Sequence, residues 1–241
     1  MSAVGNTHDV TGVDAQFVAV VPLRAGSKGL PGKNTRELAG RPLYAHSVEH
    51  GLTAGAAQVL ITTDVDQVLR RDHGTEVVLH DRAAQLCRDD TPMDPVLVDV
   101  LSRPDVEHQM VVLLQPTSPL RRPEDILACL DVLRRGRHDV VMTVCETDRS
   151  VLKYGTVDGD TFTPLRSQRD TFSNRQDLPT VVRPNGAVFA FRREWLLRTR
   201  RLGSGRIGCV EMPSDRSLDI DTNEDFARAA AFLVASSNSG V

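Results

Sequence analysis

Phe17-Val18-Ala19-Val20-Val21-Pro22, then Leu23, then Arg24-Ala25-Gly26-Ser27-Lys28-Gly29-Leu30-Pro31-Gly32-Lys33-Asn34, is the stretch that decides the fold. The uncharged apolar run reads as a buried first strand. Three glycines in the loop behind it free backbone N–H groups to turn toward a bound anion. Arg24, Lys28 and Lys33 bring positive charge to the same place. A strand running into such a loop suits a triphosphate. Only three of the 29 basic residues are lysines, Lys28, Lys33 and Lys153, and two of them stand here. A compact ammonium serves where a planar guanidinium would not fit.

Two common phosphate binders are excluded by spacing. A Walker loop needs G-x-x-x-x-G-K-[ST], but Ser27 fills its first glycine position and Asn34 its hydroxyl position. A dinucleotide loop needs G-x-G-x-x-G, whereas Gly26, Gly29 and Gly32 fall three apart.

Outward from this loop, apolar runs at 16–22, 57–62, 75–79, 110–115 and 139–145 read as strands. Amphipathic patterns near 43–54, 65–72, 94–102 and 123–135 read as helices, with Pro42 and Pro123 suited to first turns and Gly136 to a C-terminus. The alternation predicts a three-layer α/β fold with a mainly parallel sheet covered on both faces. The rhythm breaks at 149–184, where Val157-Asp158-Gly159-Asp160 marks a hairpin turn. That segment is expected to leave the sheet, for dimer contacts or to lid a site. The strand pattern resumes at Gly186-Ala187-Val188-Phe189-Ala190-Phe191, and a last helix starts near 223, with Thr222 and Asp225 as a capping-box-like pair. One domain over 16–234 is expected, with 149–184 inserted and flexible tails at 1–15 and 235–241.

A chain of 241 residues can bury a full core in one domain. Its formal net charge of −3 and 4% aromatic content argue against a nucleic-acid or membrane-surface binder. The polar start and the lack of a span-length apolar stretch point to a cytoplasmic protein. Cys87, Cys129, Cys145 and Cys209 show no CxxC spacing and are expected as reduced thiols in or near the core.

Three further stretches carry chemistry. In Ser217-Leu218-Asp219-Ile220-Asp221-Thr222, alternation sets Asp219 and Asp221 on one face of an extended segment. Two adjacent carboxylates repel unless a cation lies between them, and hard oxygen ligands of this kind favour Mg²⁺. They could also be solvated acids beside a helix N-terminus; the triphosphate-like loop favours the metal. Gln115, in Leu113-Leu114-Gln115-Pro116-Thr117-Ser118-Pro119-Leu120-Arg121, follows a central strand, where open α/β sheets bind ligands. It could read a base or orient an acceptor. Arg175 and Arg183 bracket a polar turn and could clamp an acceptor carboxylate or phosphonate. His46-Ser47-Val48-Glu49-His50 matches an inverted zinc-protease pattern. Nothing downstream nominates a third ligand, and it reads as a chance match.

Taken together, these stretches resemble the acylneuraminate cytidylyltransferase (CMP-sialic acid synthetase) family over roughly 17–234. The resemblance rests on the loop Arg24 to Asn34, Thr62-Thr63-Asp64, Arg82 with Asp89-Asp90-Thr91-Pro92, Leu114 to Arg121, Arg175-Gln176 with Leu178-Pro179, Arg183 to Ala187, and Ser217 to Thr222, in family order. It implies a nucleotide-diphospho-sugar-transferase-like fold and an Mg²⁺-dependent transfer of CMP from CTP to an acidic acceptor. Arg24 and Lys33 would hold the triphosphate, with Ala25, Gly26, Ser27 and Asn34 beside them and Arg82 near the cytosine. Asp219 and Asp221 would hold Mg²⁺. Gln115, Lys153, Arg175 and Asn185 match acceptor-facing positions, which Arg183 joins. The excursion would form a homodimer. A nine-carbon keto-sugar acid is the acceptor the resemblance implies, and a phosphonate or other small acid is the alternative, prompted by Arg166 and Arg169 besides. A catalytically silent nucleotide-binding module is the remaining reading.

Overall fold

The computed structural model describes residues 16–26 and 30–238. Ser27 and Lys28 of the loop, and the expected tail at 1–15, lie outside the described residues.

In chain order the strands and helices are β1 (Phe17–Pro22), β2 (Glu37–Leu38), β3 (Arg41–Pro42), α1 (Leu43–Thr53), β4 (Gln58–Thr63), α2 (Asp66–Leu69), β5 (Val77–Asp81), α3 (Met93–Leu101), β6 (Met110–Leu113) and α4 (Pro123–Arg134). They continue with β7 (Val140–Thr147), β8 (Gly155–Asp158), β9 (Thr161–Pro164), α5 (Gln168–Phe172), β10 (Val181–Arg192), α6 (Arg193–Thr199), β11 (Ile207–Glu211) and α7 (Asn223–Asn238). The last helix therefore runs past the tail boundary at 235.

Seven strands form one sheet in the order β11-β7-β10-β6-β1-β4-β5. β1 pairs parallel with β4 and β6, β4 with β5, and β7 with β11. β10 is antiparallel to both neighbours. The sheet is thus mainly parallel, as expected, with one reversed strand. The reversal has a local cause: the 149–180 segment leaves β7 and re-enters beside it without a crossover helix. β11 was not anticipated, because Ile207–Glu211 is a half-exposed edge with no continuous apolar run.

β1 alternates between two cores, as a strand covered on both faces must. Phe17, Ala19 and Val21 pack with Val48 of α1 and Ile126 and Leu130 of α4. Val18 and Val20 pack with Leu97 and Leu101 of α3 and Leu196 of α6. A third, smaller cluster joins Leu30, Leu38 and Leu43 to Ile220 and to Phe226 and Ala229 of α7. It fastens the segment after the glycine loop to the Asp219–Asp221 stretch. Arg36 reinforces the join, lying 4.4 Å above the Phe226 ring centre and donating to Asn223 Oδ1 (2.6 Å).

β8 and β9 form a separate hairpin closed through Gly159 and Asp160, and α5 follows it. All four cysteines are free: Cys129 and Cys145 are buried and Cys87 half-buried, but Cys209 is exposed, because its edge strand is only partly covered. Among the described residues no helix is long and apolar enough to cross a membrane.

Candidate active site at the switch point of the sheet

β4 lies on one side of β1 and β6 on the other, so the chain order reverses between β1 and β6. Open α/β sheets bind ligands in the crevice beyond such carboxyl ends. A cavity of about 310 Å³ opens there, within the range of small-molecule sites. Its walls include Arg24, Lys33, Asn34, Arg82, Gln115 and Asp221. These six residues come from four distant stretches, and each was singled out in the sequence.

Each is held by nameable contacts. Leu23 N–H donates to Thr62 O (3.0 Å) and Ala25 N–H to Asp64 Oδ1 (2.8 Å), which pins the start of the loop to the end of β4. The Arg24 guanidinium pairs with Asp89. Gly32, at φ +66°, starts the 3-10 turn Lys33–Thr35, a left-handed step that favours glycine. Lys33 is buried, and its ammonium donates to Ile220 O (2.6 Å) and Asp221 Oδ1 (2.8 Å). Asn34 is buried beside it, and among the described residues its Oδ1 has no partner. Arg82, 5% exposed, donates from Nε to Thr62 Oγ1 (3.2 Å) and from Nη2 to Thr62 O (2.6 Å). Burial lowers its pKa.

The Ser217–Asp221 segment forms no helix or strand, and buried Ile220 separates Asp219 from Asp221. Ile220 N–H donates to Thr117 O (2.8 Å), docking the segment on the loop after β6. The two acids border different cavities. Asp221 faces the cavity just described, whereas Asp219 borders one of about 480 Å³ together with Arg183, Arg228 and Ser217. Loss of solvent raises the Asp219 pKa; the Thr117 hydroxyl opposes the rise, and the Asp221 charge adds to it. Both aspartates are hard oxygen donors of the type a divalent cation takes, and Asp221 is already paired with Lys33 (2.8 Å). Among the described residues no group of three or more His, Cys, Asp or Glu side chains converges on one point. His46 is buried against Leu38 O (2.9 Å), in keeping with a chance zinc match.

The acceptor residues named above divide. Gln115 lines the first cavity and Arg183 the second. Lys153 ends the 3-10 turn Arg149–Lys153, and Arg175 lies in a separate groove with Glu146 and Arg149, paired to Asp148 (3.2 Å). Asn185 departs from its expected role. It is 3% exposed and its amide bonds inside the protein. Oδ1 accepts from Thr143 Oγ1 (2.6 Å) and Ala187 N–H (3.2 Å), while Nδ2 donates to Ser217 Oγ (2.9 Å). With its hydrogen-bonding capacity spent there, Asn185 holds the bulge of β10 and the start of the aspartate segment instead of facing a ligand.

Other residues of the site carried no assigned role. Thr117 and Asp89 stand inside quoted motifs, so a signal existed. Asp125 had none beyond its place in a first helical turn. It is buried, caps α4 by accepting from Arg122 N–H (2.7 Å), and binds the Arg216 guanidinium through both oxygens.

A family model described as Cytidylyltransferase matches residues 18–200. The chain belongs to the cytidylyltransferase family. It is 30% identical over 221 residues to the N-acylneuraminate cytidylyltransferase of Streptococcus agalactiae serotype III, covering 90% of this chain and 53% of that protein. It therefore spans about half the length of that relative. It is also 29% identical to the CMP-N,N'-diacetyllegionaminic acid synthase of Legionella pneumophila, covering 88% of this chain and 94% of that one. Among solved structures, CMP:2-keto-3-deoxy-manno-octonic acid synthetase complexed with CTP superposes with a TM-score of 0.70 at 22% identity, over 92% of this chain and 99% of that one. The 4-diphosphocytidyl-2C-methyl-D-erythritol synthase of Anaerococcus prevotii gives 0.60 at 15% identity, over 92% and 98%. The fold is thus that of this family of nucleotidyltransferases.

Proposed function

We propose that the chain is a CTP-dependent cytidylyltransferase that moves CMP onto an acidic, nonulosonic-acid-like sugar and releases pyrophosphate. The observation that carries this reading is the switch-point cavity where Arg24, Lys33, Asn34, Arg82, Gln115 and Asp221 meet. Arg24 and Lys33 are the cations for the triphosphate, and each already holds a carboxylate that an incoming phosphate can replace. The orphaned Asn34 Oδ1 needs a donor, which a ligand or an ordered water supplies. Arg82 stands at the nucleoside end. Ala25, Gly26 and Ser27 belong to the same loop reading.

In the reaction an acceptor oxygen attacks the α-phosphorus, the bond to the bridging oxygen breaks, and pyrophosphate leaves with that oxygen. Positioning and charge neutralisation account for most of the rate in such transfers. Asp219 and Asp221 would hold Mg²⁺, which neutralises phosphate charge when bound. Gln115 and Arg183 border the first and second cavities and form the acceptor side; Arg175 and Lys153, on the excursion, would have to move to join them.

The excursion also supports a homodimer. Tyr154, Val157, Phe162, Leu165 and Phe172 are exposed along it, an apolar surface that a second copy of the chain would cover.

Pyrophosphate release from CTP is measured with a nine-carbon keto-sugar acid, an eight-carbon keto-sugar acid and a small phosphonate. Release with the nine-carbon acid is expected. Release only with the phosphonate moves the acceptor to that class, and silence with every acceptor leaves a nucleotide-binding module. Two of the arginines that would favour a phosphonate are already engaged: Arg166 pairs with Asp170 (3.3 Å) and Arg175 with Asp148.

A further inference from the structure

Arg121 is among the most deeply buried large side chains, at 1% exposure, and among the described residues it forms no ion pair. The nearest carboxylate to influence it, Asp125, is itself taken by Arg216. A buried cation without a contacting counter-ion costs several kcal/mol of desolvation, on the order of what a core methyl cluster returns. What offsets that cost is a set of neutral acceptors. Nη1 donates to Ala187 O; Nη2 donates to Ser47 Oγ and to Gln115 O (2.8 Å). Ser47 Oγ in turn donates to Gln115 O (3.3 Å) and closes a triangle. Burial lowers the guanidinium to about 9, so it stays charged at neutral pH.

The positions of those acceptors matter. Gln115 lies two residues beyond the end of β6, and Ala187 lies within the bulge in β10 where pairing skips from Pro184 to Phe189. Gly186, at φ +76°, immediately precedes Ala187 in the bulge. A Cβ added there would sit 3.7 Å from Gln115 Oε1. One guanidinium therefore grips the backbone on both sides of the place where the Gln115 amide meets the β10 bulge. Arg183, paired with Cys145 of β7, stands just before this bulge, two residues ahead of Asn185.

We infer that Arg121 is a positioning residue for the acceptor half of the site: it staples the loop just beyond β6 to the β10 bulge and so fixes where Gln115 stands relative to Arg183. This rests on the acceptor role proposed for Gln115. It touches neither Lys33 nor Arg24, so the nucleotide half is held independently by Asp221 and Asp89.

The test uses Arg121→Lys, Ser47→Ala and Gln115→Ala, each with a thermal melt and separate KM values for CTP and acceptor. Arg121→Lys keeps the charge and three donors but replaces the wide planar fork with a compact ammonium that does not span acceptors held by two separate nitrogens. It is expected to raise the acceptor KM about tenfold with CTP KM unchanged, and Ser47→Ala about threefold, the scale of a lost hydrogen bond. A folded Arg121→Lys enzyme with parental acceptor KM overturns the inference. So does an equal rise in both KM values, which marks general loosening. If Arg121→Lys does not fold, Ser47→Ala decides, and parental acceptor KM there overturns it. Parental kinetics in Gln115→Ala would instead remove the acceptor role of Gln115 itself, and the inference with it.

Discussion

The Lys33 ammonium lies 2.8 Å from Asp221 Oδ1, across 188 residues of chain. The pair joins the only loop lysine among the described residues to the segment proposed to hold the metal. It lies over the small core of Leu30, Leu38 and Ile220, so its geometry is set by packing as well as by charge.

Asp221→Asn separates these roles. Lys33 keeps its bond to Ile220 O, so the melting temperature is expected to change little. Turnover should fall by about 100-fold or more, the scale of losing a charge-stabilising group. Near-parental pyrophosphate release from the variant, at any Mg²⁺ concentration, would remove the metal role.

Asp125 and Arg216 form a buried pair linking the start of α4 to the turn just before Ser217. Asp125→Ala strands the Arg216 cation and removes the α4 cap. A loss of about 3 kcal/mol is expected, or a fall of roughly 10 °C in melting temperature. The Mg²⁺ concentration for half-maximal activity should rise too, because the aspartate segment loses its anchor. A melting temperature within a degree or so of the parent would contradict this account.

The exposed apolar face of the excursion gives a solution prediction. Phe172→Glu together with Leu165→Glu should convert a dimer to a monomer by light scattering, since both side chains lie open in the single chain. The monomer's melting temperature should hold, apart from the stabilisation that association supplies. A parental chain that is already monomeric at high concentration would end the dimer proposal.

His50 predicts an acid-sensitive fold. Burial first, then the Arg121, His46 and Arg41 charges, pull its pKa down to about 3 from an ordinary 6.5. The folded protein therefore keeps it neutral where the unfolded chain takes up a proton. Stability should fall as pH drops below 6.5, by about 1.4 kcal/mol per pH unit from this one group, until about pH 3. His50→Gln should flatten that slope in melts recorded between neutrality and about pH 4. An unchanged slope would show that other groups carry it.

Much was legible without coordinates. The β1 run, the alternation that made a mainly parallel sheet, the hairpin at Gly159 and the Thr222–Asp225 cap all depend on residues within a few positions of each other. Thr222 N–H does donate to Asp225 Oδ2 (3.0 Å), and Asp225 N–H returns a bond to Thr222 Oγ1 (3.2 Å). The loop residues and the two aspartates could be singled out on equally local grounds, since residue type and period two are enough to name them.

What the chain alone left open was which distant groups meet. The antiparallel course of β10, the turning inward of Asn185, the burial of Arg121 under Gln115 and the division of Asp219 and Asp221 between two cavities each depend on long-range packing. Local sequence sets periodicity, turns and caps because those energies arise among neighbours. Where a buried cation or amide ends up is decided by which acceptors the assembled sheet brings within reach, and only the tertiary structure fixes that.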